Sequence, residues 1–194
     1  YSEDDFETLQ WMVEQCNRFN VPHILIPGNH DSVENIKKIH TLKDESLNQY
    51  ELYFSYTLNK QKMIFLDTAR GSISIDQLQW LREKIRCDKD RVLIFMHHPP
   101  LPCNMTYMEN NHALYNMEAV QKVLFTSEKD VYVFSGHYHI EREVTLLNVK
   151  LFVTPSTFFQ LDGTTLEMKI SSREIAYRKI IVNTKTIKSE VIYI

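Results

Sequence analysis

Three short runs concentrate the residues able to do chemistry: 28-GNHD-31, 97-HHPP-100 and 136-GHYH-139. Together they hold five of the eight histidines in a chain of 194 residues, so the enrichment is local. Neutral imidazole is a ligand for Zn, Fe and Mn, and an Asn side chain offers a neutral oxygen. His137 and His139 are one residue apart. They share a side of an extended strand and diverge in a turn, where they can serve two neighbouring metals. Gly28 and Gly136 let the backbone approach closely or turn with positive φ. Pro99 and Pro100 keep the chain after His98 extended and stiffen its exit from a strand.

Each run needs an element to carry it. Residues 22–26 (PHILI), 91–96 (RVLIFM) and 131–135 (VYVFS) are short apolar runs that read as buried strands, and each leads into a histidine-bearing run. In open α/β sheets the ligand crevice lies at the carboxyl ends of strands, so the three runs are expected to meet. Helical spacing of Phe6, Leu9, Met12 or Val13, Cys16 and Phe19 predicts a helix over 2–19, capped by Ser2 with acidic residues at its start. Asp31 followed by Glu34 reads as a capping pair for a short helix over 32–40. Further helices are expected at 75–87 and 116–126. Hairpins are expected at 51–67 around Asn59-Lys60 and at 143–153. Residues 99–115 read as a loop, and strands are expected at 176–182 and 186–194. Alternating helix and strand with a strand-rich end gives a single mixed α/β domain over 1–194.

Composition narrows the chemistry. With only four glycines, the chain carries neither a Rossmann fingerprint nor a P-loop. A net charge of −3 from 22 basic and 25 acidic residues gives no footprint for nucleic acid or an anionic membrane. The apolar runs are too short to span a bilayer. Cys16, Cys87 and Cys103 are odd in number and widely spaced, which gives no disulfide framework and favours a reducing, cytoplasmic setting.

Each run also has a plain structural reading. GNHD suits a turn and helix cap, His97-His98 a strand end, and GHYH a turn. The three in sequence weigh against those readings. His98 and His112 are candidate substrate-binding residues, the first with a supporting or structural role as the alternative, the second with a solvated loop position. His23 and His40 read as structural. Cys103 has no dedicated base and reads as packing, and Met105, Met108 and Met117 read as gap-fillers. Tyr107 and Tyr115 either stack on a base or pack on their own domain, the usual fate of loop aromatics.

In this order the three runs resemble the calcineurin-like metallophosphoesterase superfamily. 96-MHHPPLP-102 and 154-TPSTFFQ-160 look like its class III cyclic-nucleotide phosphodiesterase branch, whose relatives include glycerophosphodiesterases. The resemblance spans residues 2–182 and is specific as a set. It implies a four-layer αββα sandwich and two divalent metal ions (Mn, Fe or Zn). Asn29, His97 and His137 would ligate one metal and His139 the other. His30 would stand beside the phosphate as general acid or charge stabiliser, oriented by Asp31. A metal-bridging hydroxide would attack phosphorus in line with the leaving oxygen. The implied partner is a small phosphodiester, a 3′,5′-cyclic nucleotide before a glycerophosphodiester, with no nucleic acid or membrane and with a homodimer compatible. The alternatives are a phosphomonoesterase or nucleotide hydrolase of the same fold, or a truncated, non-catalytic metal-binding or scaffold domain.

One departure matters. The family's Asp-x-His and Gly-Asp-x-x-Asp motifs, each after a strand, are absent. One helix and one strand separate the second motif from GNHD, and the helix at 2–19 and strand at 22–26 fill that interval. Both motifs are therefore expected before Tyr1, which is not an ordinary native start, so the chain is expected to lack its first βαβ portion. Asp4 and Asp5 have no strand ahead of them and read poorly as a metal bridge.

Overall fold

A computed structural model describes residues 6–87 and 91–194. Along the chain run α1 (Phe6–Arg18), α2 (Val33–Ile39), β1 (Phe54–Leu58), β2 (Gln61–Phe65), α3 (Ile75–Cys87), β3 (Val92–Phe95), α4 (Thr106–Asn111), α5 (Met117–Phe125), β4 (Val131–Ser135), β5 (Arg142–Leu146), β6 (Val149–Val153), β7 (Gln160–Leu161), β8 (Ile170–Ser172), β9 (Ala176–Val182) and β10 (Ile187–Tyr193). The expected cap at Ser2, and Asp4 and Asp5, lie outside the described residues.

Six strands form the central sheet in the order β1-β2-β3-β4-β6-β5. The inner strands β2, β3, β4 and β6 are parallel, and β1 and β5 close the edges antiparallel. The β1–β2 hairpin turns on Asn59 and Lys60, both at positive φ, as a two-residue turn matching strand twist requires. Period-2 alternation sorts the side chains by face. Ile64, Ile94, Val133 and Leu151 are register partners on one face and join Leu81 and Ile85 of α3 and Val120, Val123 and Leu124 of α5 in one core.

The opposite face carries a row of phenylalanines. Phe54, Phe65, Phe95, Phe134 and Phe152 are direct cross-strand partners over five strands. Their rings stack with centroids 4.9 to 5.2 Å apart. Cross-strand aromatic pairs of this kind stabilise a sheet beyond simple burial. Ile36 of α2 and the segment Ile24–Ile26 pack over the β1–β2 end of this row. At its other end the Arg178 guanidinium of β9 lies 5.4 Å from the Phe152 ring and donates to Val153 O. A mixed α/β fold with a parallel-rich central sheet results, as expected.

Three expectations need correction. Residues 22–26 are buried in part but belong to no ladder. Their apolar side chains find a core, while their backbone has no strand partner among the described residues. Residues 99–115 are not all loop, since α4 lies within them; its sequence TYMENN buries only Met108 and so shows no apolar period. The cap of α2 is Ser32, whose side chain accepts from Asn35 N; Asp31 instead accepts from Gly28 N at 2.7 Å. No helix among the described residues is long and apolar enough to cross a membrane.

Candidate functional site

The parallel strands deliver their following residues to one end of the sheet. β3 leads through Met96 into His97 and His98, and β4 leads through Gly136 into His137. The two exits are tied together where Gly136 N donates to His97 O at 3.1 Å. GNHD arrives from the segment packed beside them, and Gly28 lies against the His97 ring. A Cβ at Gly28 would stand 3.0 Å from His97 Cε1 and 3.2 Å from Asp31 Oδ2, so glycine here lets the His97 ring approach without displacement. Gly136 does not: a Cβ there would meet nothing within 4 Å, and its φ is not positive. The left-handed backbone falls instead on the histidines, with His137 at φ 65° and His139 at φ 48°. Tyr138 N donates back to Gly136 O at 2.7 Å, closing a tight turn over His137. Non-glycine residues hold this conformation at a cost, and such strain clusters at functional sites. Tyr138 between them is fully buried and anchors the turn.

Three donor atoms converge. Asn29 Oδ1 lies 2.8 Å from His97 Nε2 and 3.1 Å from His137 Nδ1, and the two ring nitrogens are 3.1 Å apart. His137 Nε2 donates to the His112 carbonyl at 2.9 Å. A neutral His137 therefore carries its proton on Nε2 and turns the Nδ1 lone pair inward. His139 Nδ1 donates to Phe159 O at 3.1 Å, leaving Nε2 as its free donor. A carbonyl fixing the far ring nitrogen is how metal-binding histidines are oriented.

Burial, followed by the other histidines, pushes the pKa values of His97 and His98 down to about 2 and about 3. Burial also lowers His137, to about 4, and His139. All four are neutral at pH 7, the form that ligates. Two cis ligands each about 2.1 Å from one cation stand about 3 Å apart, and the observed separations of 2.8 to 3.1 Å match that spacing. The donor set fits a divalent cation. Among the described residues no group of three or more His, Cys, Asp or Glu side chains could hold a metal; the third donor of this set is an amide.

The other expected residues fall around the triangle. His139 lines, with His97, His137, Phe95, Phe134 and Arg178, a cavity of about 440 Å³. His30 and Asp31 are exposed, and His30 is near enough to lower the pKa values of His97, His137 and His139. Asp31 holds Gly28 N rather than His30. His98 is 3% exposed. Its backbone N donates to Thr68 Oγ1 at 3.1 Å, and its ring Nδ1 lies 2.9 Å from the same oxygen. The His98 ring packs 4.0 Å from that of His137, so it supports the site from behind. The exposed His112 side chain lies at the surface, while its carbonyl does the orienting. Burial and then Glu109 push the Cys103 thiol up to about 12, which keeps it an inert packing group.

Sequence reasoning did not find Thr68 or the carbonyls of His112 and Phe159. The backbone groups carry no residue-type signal. Thr68 sits just past the end of β2, an inner strand beside β3, and that position was its only clue.

A family model described as calcineurin-like phosphoesterase matches residues 1–141. A Fibrobacter succinogenes protein named as a probable cyclic nucleotide phosphodiesterase is 37% identical over 160 residues, covering 82% of this chain and 62% of its own. The 3′,5′-cyclic adenosine monophosphate phosphodiesterase CpdA of Escherichia coli strain K12 is 28% identical, covering 78% of this chain and 55% of its own. The chain thus spans somewhat over half the length of these relatives. A crystal structure of a dimetal phosphatase from Danio rerio shares the fold, with a TM-score of 0.61 at 17% identity, covering 96% of this chain and 76% of that one.

Proposed function

This chain belongs to the calcineurin-like phosphoesterase family, and from that premise we propose that the protein hydrolyses a small phosphodiester, a cyclic nucleotide first. The convergence of Asn29, His97 and His137 at cis-ligand spacing carries the reading. Those three would hold one divalent cation, and His139, through the nitrogen not bound to Phe159, would hold the second. When bound, the metals supply Lewis-acid stabilisation of charge on the phosphoryl oxygens.

The remaining roles belong to the chain. His30, exposed beside the histidine cluster, donates a proton to the leaving oxygen or steadies its charge. Asp31 acts by fixing the Gly28 turn, which sets the position of Asn29 and His30. His98, held by Thr68, keeps the His137 ring in place. His112 contributes its carbonyl to His137, while its exposed ring pairs with Tyr107. The free thiols Cys16 and Cys103 suit the reducing cytoplasm, and the net charge of −3 suits a small substrate over a long nucleic acid.

The test is a panel of cyclic nucleotides, glycerophosphodiesters and phosphomonoesters on the full-length protein, with metal analysis of the same samples. His30→Ala is expected to abolish turnover with metal content intact, and Asn29→Ala to lower metal occupancy. Equal metal loss in both variants contradicts this division of roles. Bound metal without turnover on any ester points to the non-catalytic reading.

A further inference from the structure

The C-terminal hairpin leaves one strand edge open. β9 and β10 form a two-stranded antiparallel sheet, and no other strand pairs with β10 among the described residues. From this hairpin the cavity beside the histidines takes Arg178 and Ile180 of β9 and no residue of β10, so the open edge is not part of that site. Asn183 N donates to Thr186 O, and Ile194 N to Ile175 O. Bonded and non-bonded positions alternate along an antiparallel pair. Between those two anchors Lys188, Glu190 and Ile192 therefore bond β9, while Ile187, Ser189 and Val191 aim their N–H and C=O groups at the open edge. The register runs from Ile187 to Tyr193 without a bulge, and the strand holds no proline or glycine. Nothing in its backbone twists or blocks the edge, which leaves charge as the guard.

That charge is self-complementary. Lys188 and Glu190 stand two residues apart on one face of β10, both exposed. A lysine alone deters any incoming strand. A lysine and a glutamate at this spacing deter most strands but suit a copy of themselves. An antiparallel pair of two β10 strands centred on Ser189 sets each Lys188 opposite the partner's Glu190 and each Ile187 opposite the partner's Val191. The backbone agrees with this centre. The residues aimed at the open edge face one another as the hydrogen-bonded pairs, and Lys188 and Glu190 fall in the closer, non-hydrogen-bonded pairs, where side chains interact most. Centres at Ile187 or Val191 oppose Lys188 to Thr186 or Ile194 and make no ion pair. Glu190 already meets Lys179 of its own chain at 2.9 Å, while no ion pair among the described residues engages Lys188. In the paired edges each Glu190 lies between two lysines.

We propose that β10 is a dimer contact: two copies of this chain pair their open edges antiparallel about Ser189 and join the two hairpins into one continuous sheet. Main-chain hydrogen bonds supply the affinity and the charges fix the register. One strand pair buries less than an obligate interface, so the dimer forms and dissociates with concentration. The contact is independent of the reaction the histidines perform.

The test is sedimentation of the full-length protein over a range of concentrations, with Lys188→Glu and Glu190→Lys. The wild type is expected to pass from monomer to dimer as concentration rises. Either reversal alone sets like charges across both close pairs and is expected to weaken the dimer about tenfold. An equimolar mixture of the two variants restores opposite charges in the mixed pair, and the dimer returns. A wild type that stays monomeric overturns the proposal, as does a dimer that neither reversal weakens or a mixture no tighter than its components. Glu190→Lys also sets a second cation beside Lys179, so thermal unfolding checks that this variant folds. Hydrogen exchange on the wild type decides the question without a variant. The amides of Ile187, Ser189 and Val191 are expected to slow as concentration rises, and exchange there that ignores concentration overturns the contact.

Discussion

At the scale of single residues the site is a problem of proton placement. His97, His137 and His139 present lone pairs because burial favours their neutral form and backbone carbonyls choose the tautomers of the last two. Gly28 is the residue on which this depends most narrowly. Its neighbours are the His97 ring on one side and the Asp31 carboxylate on the other. Gly28→Ala puts a methyl 3.0 Å from His97 Cε1, and the ring must yield by a few tenths of an ångström. The backbone at Gly28 is not left-handed, so the fold survives. The expected result is an unchanged melting temperature with metal affinity lowered about tenfold, the scale seen when a ligand's support is disturbed. Metal titration alongside thermal unfolding checks it; equal losses of affinity and stability would refute a purely local effect.

At the scale of elements, the parallel strands do two jobs, presenting histidines at their ends and phenylalanines along one face. The second job was not legible in the sequence. Each Phe is ordinary in its own strand, and the row exists only once the register is known. The same limit hid α4, whose single buried residue leaves no period. It also made 22–26 read as a strand, because an apolar run reports burial and not a ladder partner. What was legible was the content of the runs: their histidines and the apolar segments ahead of them led to the expectation that they meet, while the grouping of Asn29, His97 and His137 as one ligand set came from the family resemblance. Phe134 links both jobs. It is 4% exposed, stacks between Phe95 and Phe152, and lines the cavity beside the histidines. Phe134→Ala removes a ring with neighbours on both sides and is expected to destabilise by about 3–4 kcal/mol. Urea unfolding checks this: the midpoint should fall with the slope unchanged, and a loss under about 1 kcal/mol would mean the row adds little.

At the scale of the whole molecule, one ion pair joins elements distant in sequence and lies away from the histidines. Glu45 accepts from Ser55 N and Ser55 Oγ at the start of β1, and pairs with Lys84 of α3. Burial alone would raise the pKa of its carboxyl, but the hydrogen bonds from Lys84 and Ser55 outweigh burial and hold it down at about 2. An unfolded Glu titrates at about 4.3. Between those values the unfolded chain binds the proton and the folded chain does not, so stability falls as the pH drops. The contribution is complete above about pH 5 and is lost progressively toward pH 2. Asp67 works the other way. Burial raises its pKa to about 6, from 3.8, despite bonds from Ala69 N and Leu52 N. It therefore gives stability that fades as the pH rises from about 4 to about 6. The two effects act in largely separate windows. Glu45→Gln keeps the shape and removes the charge. It is expected to cost about 1 kcal/mol at pH 7 once solvent screening of the partly exposed pair is allowed for, and to flatten the difference from wild type as the pH approaches 2. Thermal unfolding of both proteins from pH 2 to pH 7 checks it. A constant difference over that range would show that Glu45 acts through packing and not through its charge.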